Sequence, residues 1–142
     1  MKISSRFTVG VHILTLIKIE REYTLSSTQI AESVNTNPVV IRRLMGKLKE
    51  AGLIEVSRGN TGAKLLKSLD EITLFDVYKA IEVVESGHLF QIHEDTNPKC
   101  TVGANIQMVL EVILESAQGA MEAVLKDVTL DNIVNKILVN NR

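Results

Sequence analysis

Apolar residues recur at helical spacing along most of the chain, and the breaks in that rhythm mark its elements. Val9, Ile13, Leu16 and Ile17 repeat at steps of one, three and four, which predicts a helix over about residues 5–20, capped by Ser4 or Ser5. Ser26-Ser27-Thr28-Gln29 has the S-x-x-Q form of a capping box and opens a short helix with Ile30, Ala31 and Val34 inward. Asn35-Thr36-Asn37 is a polar turn. Asn37 can cap the next helix, with Pro38 at its first position, and Gly52 ends it just after Ala51. Two strand-like runs, Leu53–Ser57 and Ala63–Leu66, enclose the glycine-rich tip Arg58-Gly59-Asn60-Thr61-Gly62. A second capping signature, Thr73 to Asp76, opens a helix over about 74–84. Residues 85–99 lack periodicity. A long helix over about 101–126 follows, and Thr129 caps a last one carrying Leu130, Ile133, Val134, Ile137 and Leu138.

The predicted fold class is mainly α with a small β-hairpin wing. Two short helices, a polar turn and a hairpin with a basic tip make a winged helix-turn-helix over residues 1–84. A linker or sensor loop follows over 85–100, and a long dimerisation helix with a C-terminal helix over 101–142. In the second helix of the pair, Ile41, Leu44, Met45 and Leu48 share one stripe and should face the core. That leaves Val39, Arg42, Arg43, Gly46, Lys47 and Lys49 outward. Arg42 and Arg43 lie in the first two turns, the part of a recognition helix that meets base edges in a major groove. A guanidinium can bond bidentately to guanine or to phosphate. Pro38, Val39 and Lys47 belong to the same candidate surface, and the helix N-terminus adds partial positive charge. Ser27, Thr28 and Gln29 are short polar groups suited to backbone contacts. In the wing, Arg58 can lead into a minor groove, with Gly59, Asn60 and Lys64 beside it. A solvated basic helix face with ordinary hairpin glycines is the bland reading of the same residues.

The long helix carries two apolar stripes where a surface helix shows one. Ile106, Val109, Ile113, Ala117, Ala120 and Val124, preceded by Val102, form the first; Leu110, Leu114, Met121 and Leu125 form the second. Two stripes predict burial on two sides, one against the helix's own domain and one against a second copy of the chain. Such a two-fold dimer suits a palindromic operator.

Charge sharpens this picture. The net charge is −1, but residues 1–68 carry eleven Lys and Arg against five acids, while residues 69–142 carry five against twelve. A basic half joined to an acidic half fits a polyanion-binding module joined to something that should not bind polyanions. At 142 residues, 45% apolar and 23% charged, the chain has the balance of a globular protein with its own core. Aromatic content of 4% with no Trp argues against base-stacking platforms for single strands. No apolar run reaches 18 residues, so no membrane span is expected, and the N-terminal stretch reads as a core helix rather than a signal peptide. The single cysteine, Cys100, excludes an intrachain disulfide and fits a reducing, cytoplasmic setting. No nucleophile elbow, phosphate loop or carboxylate constellation stands at interpretable spacing, so no enzyme activity is expected. The alternative within the fold is a winged-helix protein-interaction module that does not bind DNA.

The runs M-K-I-S-S-R-F-T-V-G-V-H-I-L, S-S-T-Q-I-A-E-S-V, A-G-L-I-E-V-S-R-G-N-T-G-A-K-L and D-E-I-T-L-F-D-V-Y-K-A-I resemble the Rrf2 family of bacterial transcription regulators over nearly the whole chain. The resemblance implies a homodimeric winged-helix repressor, each copy on one half-site, held by its long C-terminal helix. The family's wing usually reads R-G-x-x-G-G-Y; here Ala63 and Lys64 replace the last two positions. Well-known members bind an iron–sulfur cluster through three cysteines near the long helix. Only Cys100 stands there, with His88 and His93 nearby at spacing that matches no zinc motif. No cofactor and no metal are therefore expected. Cys100 is a candidate redox sensor, since a helix N-terminus favours thiolate. The other candidate signal is a small-molecule effector near Leu89, Phe90 and Ile92.

Overall fold

The structure is a computed structural model and describes residues 5–20, 25–56, 62–81 and 88–140. Its described elements run α1 (Arg6–Ile19), α2 (Ser27–Val34), α3 (Pro38–Glu50), β1 (Ile54–Val56), β2 (Ala63–Leu65), a 3-10 turn (Leu69–Glu71), α4 (Leu74–Ile81), α5 (Thr101–Asp127) and α6 (Leu130–Asn140). The chain is mainly helical with one antiparallel hairpin, as the apolar pattern predicts. It divides into two compact units. Described residues up to 81, together with 125–140, form one, and described residues 88–124 form the other.

In the first unit α1 is the central post. Gly10, Ile13, Leu14 and Ile17 of this helix form one buried stripe, and Thr15 is buried beside it. Its one buried hydroxyl is satisfied locally, since Thr15 Oγ1 donates to the Val11 carbonyl one turn back at 2.8 Å. α4 lies directly against α1 at Gly10, where a Cβ would stand 2.9 Å from Ile81 Cγ1. Around this post gather Ile30 and Ala31 of α2, Ile41, Leu44 and Leu48 of α3, Leu53 and Ile54 at the hairpin, and Val77 and Ile81 of α4.

α6 completes the same core. Leu130 is fully buried and Val134 nearly so. The Leu130 N–H donates to the Ile72 carbonyl at 2.8 Å, and the Leu74 N–H to the Val128 carbonyl at 2.9 Å, so the starts of α4 and α6 are stitched together. Both starts carry their caps: Thr73 and Asp76 form a reciprocal box, and Thr129 Oγ1 accepts from the Asn132 N–H. The remaining apolar positions of α6 are less covered, with Ile137, Leu138 and Val139 exposed.

In the second unit, the irregular segment is tied to its own helix. The Leu89 N–H donates to Gln118 Oε1 at 2.8 Å, and Thr96 Oγ1 donates to the Gly103 carbonyl. A Cβ at Gly103 would collide with the Asn97 backbone, which explains a glycine in the first turn of α5.

Candidate nucleic-acid interface

The local sequence sets the α2–turn–α3 geometry. Ser26 Oγ accepts from the Gln29 N–H at 3.2 Å, while Gln29 Oε1 accepts from the Ser26 N–H at 2.9 Å, so both halves of the capping box are made. Asn35 turns the chain in the left-handed region, φ 64°, a conformation its short amide side chain tolerates. Asn37 Oδ1 then accepts from the Val39 N–H at 2.8 Å, and Pro38 occupies the first turn of α3. Gly52, φ +76°, stops that helix.

The two faces of α3 are sharply different. Ile41, Leu44, Met45 and Leu48 are buried. Val39, Arg42, Arg43, Gly46 and Lys49 are exposed, Val39 to 53%. At about 100° per residue, Val39 and Gly46 fall on one line along the outer face, with Arg42 on one side of it and Arg43 on the other. Arg42 Nε donates to Ser27 Oγ at 3.2 Å, which joins the start of α2 to the outer face of α3. Thr28 and Gln29 are exposed beside Ser27. Lys47 is placed differently. It is half-buried, and its Nζ donates to the Ile81 carbonyl at the end of α4, at 3.4 Å. That ammonium therefore has a partner within the chain.

In the hairpin, Ile54 pairs with Leu65, Glu55 with Lys64 and Val56 with Ala63. Lys64 is exposed on β2, directly across from Glu55. Arg58, Gly59 and Asn60, the proposed wing tip, lie outside the described residues. Gly46, outward by its spacing, is exposed in the middle of the helix.

A second exposed surface runs along α5, which holds no buried residue. Ile106, Val109, Ile113, Ala117, Ala120 and Val124 are all exposed. Of the neighbouring stripe, Leu110 is exposed and Leu114, Met121 and Leu125 are half-buried. Of the two stripes, the second is thus the one partly buried within the chain. Met108 and Val112, outside both stripes, are exposed as well, at 65% and 69%.

Cys100 is exposed just before α5. Hydrogen bonds from the backbone of Gly103, and then of Val102, hold its thiol below the ordinary cysteine range, against a weak opposing effect of burial.

Comparison with known proteins agrees with this architecture. The Rrf2 family model, described as an iron-dependent transcriptional regulator, matches residues 3–136. A Bacillus subtilis (strain 168) protein provisionally named HTH-type transcriptional regulator YwnA is 44% identical over 135 residues, covering 95% of this chain and 98% of its own. A crystal structure provisionally described as a DNA-binding protein superposes with a TM-score of 0.74 at 40% identity, covering 91% of this chain and 98% of its own. CymR (YrzC), the global cysteine regulator of B. subtilis, superposes at 0.66 with 26% identity, covering 95% and 97%.

The family description raises iron, and the residues present do not fit an iron–sulfur cluster. The sequence holds one thiol. Among the described residues, which include His88, His93 and Cys100, no group of three or more His, Cys, Asp or Glu side chains could hold a metal ion. Among the described residues, too, no helix is long and apolar enough to cross a membrane.

Proposed function

The chain belongs to the Rrf2 family of transcriptional regulators, and on that premise we propose that it is a sequence-specific, homodimeric repressor whose recognition helix is α3. One observation carries this reading: α3 is capped at its start, buried along one face, and bare along the other, with Val39, Arg42 and Arg43 exposed over its first two turns. These are the turns a recognition helix presents to base edges. Arg42 and Arg43 are the candidates for guanine or phosphate, and Val39 for a thymine methyl. Ser27, Thr28, Gln29 and Pro38 would fix register on the backbone. Lys64 and the wing residues Arg58, Gly59 and Asn60 would add a second contact.

The exposed stripe Ile106–Val124 supports a dimer seam on α5. A contiguous apolar face left open by one chain is the usual mark of an interface, and a two-fold pair would match a palindromic operator. Cys100 is the chemical entry point for an oxidant signal in this reading, and a small-molecule effector is its rival. The DNA assignment is tested with the double variant Arg42→Ala, Arg43→Ala on a duplex the unmodified protein binds. Affinity should fall by about 2–5 kcal/mol if both side chains contact DNA, with a shallower salt dependence. Unchanged affinity and unchanged salt slope would remove α3 from the interface.

A further inference from the structure

Gly46 sits in the interior of α3, nine residues into a helix of 13. It is exposed, and a Cβ built on it would meet nothing within 4 Å. Neither a positive φ nor a packing neighbour therefore demands a glycine here, in contrast to Gly52, whose φ is +76°, and to Gly10 against Ile81. By the measure of the folded chain alone, glycine at this position is a defect, because it frees the unfolded backbone and weakens the helix. Its surroundings give the defect a use. Gly46 lies two turns beyond Val39 on the same line of the outer face, and Arg42 and Arg43 flank that line. Side chains stand on both sides of it, while at Gly46 itself the backbone is bare.

We propose that Gly46 is a close-approach position, at which the α3 backbone comes into van der Waals contact with double-stranded DNA. This rests on the reading of α3 as the recognition helix. A methyl group at Gly46 would hold the second half of α3 away from the groove floor by roughly the thickness of one carbon. Arg42 and Arg43 could then no longer reach base edges with the same geometry. Contacts to phosphates, which tolerate small displacements and supply most sequence-independent binding, would largely survive. Gly46 thus sets the depth of seating and, through it, the ratio of specific to non-specific affinity.

The test compares the unmodified protein with Gly46→Ala and Arg43→Ala. The probes are a duplex selected by the unmodified protein from a random pool and an unrelated duplex of equal length. Gly46→Ala should raise the thermal midpoint and leave the solution mass unchanged. It should weaken binding to the selected duplex tenfold or more, while binding to the unrelated duplex changes less than about twofold. If Gly46→Ala is more stable and binds the selected duplex as the unmodified protein does, the close-approach role is wrong. Should Arg43→Ala weaken binding in that same experiment, the recognition-helix reading stands without it. If neither variant changes binding, both readings fall together. A lower thermal midpoint or an altered mass in Gly46→Ala would also overturn the proposal, since Gly46 would then serve the chain's own structure or assembly.

Discussion

Arg42, Arg43 and Lys47 look alike in the sequence, three cations on the outer positions of one helix, yet the structure separates them. Arg43 is exposed, Arg42 is steadied by Ser27 Oγ, and Lys47 spends its ammonium on the Ile81 carbonyl. Lys47→Met should therefore cost stability, about 0.5–1 kcal/mol in urea unfolding. Its effect on DNA affinity should be smaller than that of Arg43→Ala. The reverse order would mean that Lys47 leaves Ile81 for phosphate. Cys100 gives a prediction in pH. Because backbone donors lower its pKa, the reactive thiolate is present at lower pH than in an ordinary cysteine. The rate of alkylation by iodoacetamide should rise with pH through a midpoint below that of a free thiol measured alongside. A midpoint at or above the free thiol would contradict the hydrogen-bonded arrangement before α5. These residue-level differences were not legible in the sequence. Spacing assigns a face, but not which neighbour claims a long side chain's head group.

Whole elements were far more legible, because their ends carry chemistry that acts locally. The S-x-x-Q and T-x-x-D boxes, Asn37 with Pro38, and Gly52 each stand where the sequence places them. Ser26→Ala removes one half of a made capping box and should cost about 1 kcal/mol, read as a lower urea midpoint with unchanged m-value. α1 was less legible. Of the expected positions Val9, Ile13, Leu16 and Ile17, Ile13 and Ile17 are buried and Val9 and Leu16 pack partly buried against the core, but Gly10, Leu14 and Thr15 are buried as well. Spacing alone does not show how far round the helix the buried face extends, and tertiary contacts decide it. Those contacts include Gly10 against Ile81, so Gly10→Val should overpack the α1–α4 contact and cost at least about 1–3 kcal/mol. The return of α6 to the first unit through Leu130 and Ile72 also left no local signal. It depends on a pairing between segments more than fifty residues apart, Thr73 with Thr129.

At the scale of the molecule, the basic first half and acidic second half are the widest feature of the sequence, and the fold gives each a surface. The exposed arginines of α3 belong to the first, the open apolar length of α5 to the second. If α5 pairs with itself, Ile113→Asp places a charge in the seam and should shift the protein toward one chain in light scattering, or unfold it. The milder Ile113→Ala should stay folded and dimerise more weakly. A single-chain mass for the unmodified protein at micromolar concentration would remove the dimer from the account. Such a dimer would in turn dictate what DNA should look like to this protein: two inverted half-sites, roughly one helical turn apart. The most direct measurement is selection of bound duplexes from a random pool by the purified protein, followed by sequencing. The account predicts enrichment of one inverted repeat with half-sites about 10 base pairs apart, centre to centre, and loss of that enrichment in the Arg42→Ala, Arg43→Ala protein. A pool that stays random, or the same enriched repeat from the double variant, would contradict it.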